Sequence, residues 1–334
     1  MHADNAQVGP PATRRRRRGP TFPPACALAL AAAILFGASA APAGAASPPT
    51  VTTGGARSIG YSSATLTGAI DPKGANTSYY FQYGLTRDYG SQTAIADAGA
   101  GTGNVQVALA IGGLEPITVY HYRLVAVNAS GATLGSDHTL LTSKVPLSLA
   151  ILASPNPVLF GGPVVIQGTL SGTDDGGMQV ILQGNAFPFT AGFQNIGNPE
   201  LTSATGGFVF NLLGASLVTQ YRVVTTTKPV IVSPVTTENV AVSVTSHIAK
   251  TRRRGYARIY GTVTPAEDGA QVGMLRIVGG RGVLAGGTIL KANATTTSSS
   301  FSRVVPIHRG VYRVLVRVVD AGQVSSYGQP LVIR

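Results

Sequence analysis

Tryptophan is absent from the 334 residues, cysteine occurs once, and charged residues make up only 11% of the chain. Each shortage excludes something. The single cysteine, Cys26, opens an apolar stretch at residues 25–36 that follows the basic run Arg14–Arg18. A lipoprotein attachment would want that cysteine after the apolar stretch, not at its head. If the stretch is removed with a targeting segment, no disulfide and no thiol chemistry is left behind it. The stretch is also shorter than the roughly 20 apolar residues that cross a bilayer, and no other run is longer. No segment after residue 50 carries the 3.6-residue period of an amphipathic helix.

What stands at the N-terminus has the parts of a secretory signal: a positive run, an apolar core, then small residues. Ala-x-Ala cleavage is offered at Ala38-Ser39-Ala40 and at Ala43-Gly44-Ala45. The second is the better match and makes residues 1–45 a signal peptide; an uncleaved anchor is the other reading. Secretion to the extracellular space or the cell surface is the expectation that follows.

Beyond that segment, apolar residues (44% of the chain) come in short alternating runs punctuated by glycine, proline, asparagine and aspartate. This pattern belongs to many short strands. It also repeats. Ala64-Thr-Leu-Thr-Gly68, Val164-Val-Ile-Gln-Gly168 and Ala257-Arg-Ile-Tyr-Gly261 each precede a Tyr-Arg strand, at Tyr122-Arg123, Tyr221-Arg222 and Tyr312-Arg313. Glycine and tyrosine are 54, 53 and 51 residues apart. An early and a late strand at that spacing, three times over, predict an all-β chain of three tandem two-sheet sandwiches. The expected domains are 48–143, 146–246 and 248–334, with breaks at Lys144-Val-Pro146 and His247-Ile-Ala-Lys250.

In the first domain, strands are predicted at 49–53, 64–70, 77–83, 92–96, 104–111, 118–127 and 137–142. The stretch from Leu114 to Asn128, with Leu114 six residues before Tyr120, resembles the signature of fibronectin type III domains. Val51–Ala56, Tyr80–Gly84 and Gly135-Ser136-Asp137 resemble the variety found in secreted bacterial proteins. The resemblance implies a tyrosine corner at Leu114 and Tyr120, the hydroxyl bonded back to the backbone. Alternation from Tyr120 then places Tyr122, Leu124 and Ala126 inward and His121, Arg123 and Val125 outward. The strand-B tryptophan usual in animal members is missing. No Arg-Gly-Asp tripeptide occurs. The second and third domains resemble bacterial immunoglobulin-like modules only in framework.

The inventory of reactive side chains argues for a non-catalytic protein without cofactor or metal. His121, His138, His247 and His308 are scattered singly, and no paired-carboxylate or metal-ligand spacing appears. Asp174-Asp175 and Glu267-Asp268 read as solvated turns. Ser136-Asp137-His138 has the letters of a triad, but consecutive strand residues point to opposite faces. Gly99-Ala-Gly101-Thr-Gly103 precedes a strand, whereas a phosphate cradle opens onto a helix. Asn128-Ala-Ser130 and Asn293-Ala-Thr295 match the glycosylation acceptor pattern. Two function classes remain: a surface or matrix protein using its sandwiches as spacers and binding modules, and an accessory carbohydrate-binding protein for extracellular polymer degradation.

Charge is distributed unevenly. Residues 47–143 hold four basic and five acidic groups, 144–246 three and four, and 247–334 thirteen and three. Lys250, Arg252, Arg253, Arg254 and Arg258 crowd the start of the third domain, and Arg303, Arg309, Arg313 and Arg317 recur along its closing strands. These are the candidate contacts to an anionic partner: cell-wall polymer, anionic membrane surface or polysaccharide. Nucleic acid fits poorly, because no aromatic-basic interleaving offers base stacking. A solvated basic surface that blunts an edge strand is the other reading of the same residues.

Overall fold

The computed structural model describes residues 47–293 and 297–334; the signal-peptide reading of 1–45 and part of the Asn293-Ala-Thr295 pattern lie outside these. The described residues are all-β, with no helix among them. They form three sandwiches, each with two main antiparallel sheets around its own apolar core.

In the first sandwich Thr50–Thr53, Ser63–Asp71 and Val105–Gly112 make one sheet. The facing sheet is built on the pair Thr77–Gly84 and Val119–Asn128, extended by shorter strands on either side. Alternation places Leu66, Ile70, Phe81, Tyr122 and Leu124 in the core with no measurable exposure. The predicted strand at 92–96 is instead two pieces, Ser91–Gln92 and Ala96–Gly99, both paired to Thr77–Gly84. An unpredicted strand, Gly131–Leu134, folds back on Val119–Asn128. It explains a departure from the expected exposure: Val125, on the outward side of its strand, is nevertheless buried. The residue sits in the middle of its sheet with Tyr80 on one flank and Leu134 on the other.

The second sandwich repeats the plan with Ser148–Ser154, Val164–Ser171 and Gly207–Leu212 against a sheet centred on Gln179–Ala186 and Thr219–Thr225. It adds a short parallel pair, Val158–Leu159 with Val240–Ala241. The third sets Ser243–Lys250, Tyr256–Thr264, Ser299–Pro306 and Lys291–Ala292 against Arg281–Ile289, Gln271–Val278, Gly310–Arg317 and Ser326–Tyr327.

The break expected at 244–250 does not exist, and the third sandwich starts before residue 248. Ser243–Lys250 is one unbroken strand, paired residue for residue with Ala257–Thr264. His247 and Lys250 read as interruptions in sequence, yet both are exposed on an otherwise regular strand. Nor are the second and third sandwiches joined by a linker alone. Val324 N–H donates to the Val240 carbonyl at 2.8 Å and Val242 N–H to the Val324 carbonyl at 3.2 Å. Val218 N–H donates to the Gly322 carbonyl at 2.8 Å, and the side chain of Gln323 to the Ser216 carbonyl at 2.9 Å. Val324 thus lies parallel beside Ala241 and extends the second sandwich's short ladder.

Two tyrosines pin loops to the strands that follow. Tyr120 Oη accepts from Glu115 N–H at 2.9 Å, with Leu114 and Tyr120 both buried. Tyr312 Oη accepts from His308 N–H at the same distance. Tyr120→Phe should therefore destabilise the fold by about 1–3 kcal/mol by leaving the Glu115 N–H without its acceptor, and Tyr312→Phe by a similar amount through His308. Tyr80→Phe, on the half-exposed face, should stay within about 0.5 kcal/mol of wild type. Chemical denaturation of the three variants checks this; an unchanged midpoint for Tyr120→Phe would show that the corner contributes nothing.

Candidate anion-binding surface of the third sandwich

The basic residues of the third sandwich do not form one patch. Strand register sorts them into a tip and two faces. Lys250 closes its strand opposite Ala257, and Arg252, Arg253 and Arg254 make the exposed turn that follows. Tyr256 pairs with Pro306, and Ile307 N–H bonds the Gly255 carbonyl, which brings Arg309 to the same end. Three residues that the sequence did not single out join them. Arg276 donates to the Arg309 carbonyl at 3.0 Å, Arg281 opens the strand after the adjacent hairpin, and Arg334 follows Ile333, the partner of Gly310. No signal in the linear pattern marks Arg276 and Arg281, because only the pairing of their hairpin with Gly310–Arg317 carries them to this end.

All three acidic residues of the sandwich lie at the other end. Glu267 and Asp268 occupy the turn between Thr264 and Gln271, and Asp320 follows Arg317. Strands of eight or nine residues separate the poles by about 25 Å. The acidic pole is also the joint: Asp320 Oδ1 accepts from Gly322 N–H at 2.9 Å, and Gly322 bonds the second sandwich. Among the described residues, no basic group of 247–334 has a carboxylate within ion-pairing distance; the ion pairs are at Lys73, Arg87, His121 and Lys144.

The remaining candidates sit on the faces. Arg258 lies on the outer face of the sheet containing Tyr256–Thr264, its guanidinium 4.7 Å from the Tyr260 ring centre. Arg313 and Arg317 are on the outer face of the opposite sheet, alternating with buried Tyr312, Val314 and Val316. Arg313 is already engaged, over the Tyr327 ring at 4.8 Å and toward the Gly328 carbonyl. Its counterparts do the same: Arg123 donates to Gln82 and covers Tyr89, and Arg222 donates to Gln183 and covers Phe193. The arginine after each repeat tyrosine therefore clamps its sheet's outer surface. That removes Arg313 from the set of open cations.

Asp137 gathers a second cluster, in the first sandwich. Its Oδ2 lies 2.9 Å from His121 Nδ1 and 3.2 Å from Arg87 Nε, and its Oδ1 accepts from Tyr89 Oη at 3.0 Å. Burial by itself would raise this carboxyl, but the bonds from His121 and Tyr89 and the charges of His121 and Arg87 hold it below the usual range. His138 turns away to meet the buried Tyr122 edge-on. Ser136, Asp137 and His138 do not converge. Tyr89, in a loop as its sequence suggests, is nevertheless buried, its hydroxyl bonded to Asp137 and its ring covered by the Arg123 guanidinium. Among the described residues no group of three or more histidine, cysteine or acidic side chains is arranged to hold a metal.

At the joint, burial pushes the Glu267 carboxyl up to about 7, with the nearby Asp320 carboxylate adding to the effect. A carboxyl whose folded pKa is raised gives stability that is complete below its unfolded value and is lost as pH rises through the folded one. The window here runs from 4.5 to about 7. Glu267→Gln should accordingly melt above wild type at pH 8, with the gap shrinking as pH falls toward 4.5. A melting-temperature difference that does not vary with pH across this window would contradict the burial of that charge.

No family model matches this sequence, and no curated protein matches it. Solved structures do align with it. Domains A168–A170 of titin match at 14% identity over 86% of this chain and 99% of that one, with a TM-score of 0.35. The FN1–FN3 domains of chicken CNTN1 match at 13% identity over 86% and 96%, with a TM-score of 0.27. The sensor domain of the anti-sigma factor RsgI4 of Pseudobacteroides cellulosolvens matches at 19% identity over 28% and 89%, with a TM-score of 0.20. At such scores the alignments carry no argument about site or activity, and the all-β class rests on the strand pairing described above.

Proposed function

We propose that the chain is a non-catalytic extracellular protein, held at the cell surface by its third sandwich and using its other two as spacers and binding modules. The partner is an anionic polymer or membrane surface. One observation carries this reading: the cations at the tip of the third sandwich, all exposed except the half-buried Arg276, are unpaired by carboxylates and farthest from the joint, while the sandwich's acidic residues are all at the joint. A polarised charge distribution of this kind favours end-on approach to a negative surface, because the field is strongest where like charges gather without counter-charge. Pure solubility would be served as well by cations spread among carboxylates. The tip is also the part of the third sandwich that the second sandwich leaves uncovered, so that binding there keeps the remaining domains pointing away from the surface. The signal-like N-terminus, which would bring the chain to such a surface, supports the same reading.

The test uses the chain from Ser47 onward and anionic vesicles or isolated wall polymer. Retention is expected at low salt and should vanish well before 1 M, where the Debye length falls to roughly 3 Å. Replacing Arg252, Arg253 and Arg254 by serine changes an exposed turn and lifts one guanidinium off the Tyr256 ring, and it should reduce retention at least tenfold while the fold still melts cooperatively. Retention that ignores salt, or that survives the triple substitution, would sink the proposal.

A further inference from the structure

The outer face of the sheet that holds Ser243–Lys250 and Tyr256–Thr264 is an open trough of about 610 Å³. Its floor is a regular grid. Thr245, Thr262, Ser300 and Lys291 lie side by side across four strands, and the next row holds His247, Tyr260 and Ser302. These side chains point outward because the residues between them, Ala257, Ile259, Gly261 and Val263, belong to the core side. Arg258 flanks the second row, whereas Arg303 pairs with the inward Ile259 and turns toward Gly286 of the facing sheet. His247, Arg258 and Lys291 line this face, and no acidic side chain does.

Polar surface is common, but this polar surface is unusually uncommitted. The arginines that follow the repeat tyrosines are tied to glutamines, carbonyls and rings, as described above. In the trough, among the described residues, Arg258 and Lys291 make no hydrogen bond to a protein acceptor, and the hydroxyls of Tyr260, Ser300 and Ser302 have no protein partner. Tyr260 is fixed nonetheless. Its ring lies 5.5 Å from the cross-strand His247 ring and 4.7 Å from the Arg258 guanidinium. Thr245 and Thr262 spend their hydroxyls on each other, at 2.6 Å, so the sheet presents the Ser300, Ser302 and Tyr260 hydroxyls and the Arg258 and Lys291 cations at strand spacing with their hydrogen-bonding capacity unused.

The geometry points to a binding site for a carboxylate-bearing polysaccharide, lying across the strands with its acid groups toward Arg258 and Lys291 and its hydroxyls over the Ser and Tyr rows. A polymer of charge alone would have no use for the rows of hydroxyls, and a neutral glycan would have none for the two cations. A chain carrying both groups matches both. This rests on the reading of the third sandwich as the anion-binding domain, but it places a second, selective contact on a face away from the charged tip.

Calorimetric titration of the chain from Ser47 onward, at 0.15 M salt, tests it with two probes: polygalacturonate, which carries carboxylates and hydroxyls, and polyphosphate, which carries charge alone. Polygalacturonate should bind, and Tyr260→Ala and Ser302→Leu should each weaken it at least tenfold while changing polyphosphate affinity less than twofold. Should Tyr260→Ala lower the melting temperature, Ser302→Leu, at an exposed position, decides by itself. Unchanged polygalacturonate affinity in Ser302→Leu overturns the trough. If affinity is then lost only on substituting Arg252, Arg253 and Arg254, the tip is the anion site and the anchoring reading stands without the trough. Failure to bind either polymer, even at low salt, overturns both.

Discussion

The second strand of every sandwich carries a glycine where the strand before it comes too close for a side chain. A methyl group at Gly68 would stand 2.8 Å from the Thr52 carbonyl and 2.6 Å from the Leu124 side chain. At Gly168 the obstacles are the Ala150 carbonyl and the Phe208 ring, and at Gly261 the Thr245 carbonyl and the Phe301 ring. The missing side chain lets a bulky core residue from another strand fill the space over the second strand. It also lets the first and second strands approach closely. Overpacking such a position is costly in a close-packed interior. In the first sandwich that contact also fixes how the first sheet sits over the strand carrying the buried Tyr122, because Leu124 of that strand fills the space over Gly68; in the other two the phenylalanine of the neighbouring strand in the same sheet fills it.

The arginine next to each of those tyrosines shows how the outer surface is managed. On a regular strand the neighbour of an inward residue faces out. In the first two sandwiches that outward arginine finds a glutamine on the adjacent strand and an aromatic ring beside it. Such positions use charge to cover apolar surface, as long cationic side chains do. In the third sandwich Arg253, Arg258 and Arg313 also lie over aromatic rings, but no cation there has a carboxylate partner. Gathered at one end and separated from the acidic residues by the length of the strands, the tip cations repel one another. The same separation places Glu267 and Asp320 together at the joint, where burial and mutual repulsion keep one of them partly protonated near neutrality.

The joint changes what the chain can do as an array. Backbone bonds from Gly322 and Val324 to the second sandwich leave the two modules little freedom to swing, because each opening would strand donors and acceptors in a half-buried seam. The first sandwich meets the second differently: Val145 exchanges bonds with Thr173 within the connecting segment, and Lys144 pairs with Asp174 in an exposed contact. Sandwiches two and three therefore behave as a paired unit carrying the basic tip at its far end.

Much of this was legible in the order of residues. Alternation along a strand is local, so buried Tyr122, Leu124 and Ala126 could be read from period alone. The Gly-to-Tyr framework could be read from its spacing, and the basic third domain from composition. The corner at Tyr120 was visible as a short-range motif, since its partner Glu115 is five residues away. What sequence could not settle were the properties set by pairing between distant strands. Val125 is buried because Tyr80 and Leu134 flank it, and Asp137 meets His121, not His138, because one lies across a strand pair and the other beside it on the chain. The strand 243–250 looked like a break because its outward residues are polar, and only its pairing with 257–264 shows it to be continuous. The cations of the tip are scattered from Lys250 to Arg334 in sequence. Strand register, which no local pattern specifies, gathers them at one end and leaves the trough's hydroxyls and cations on one face.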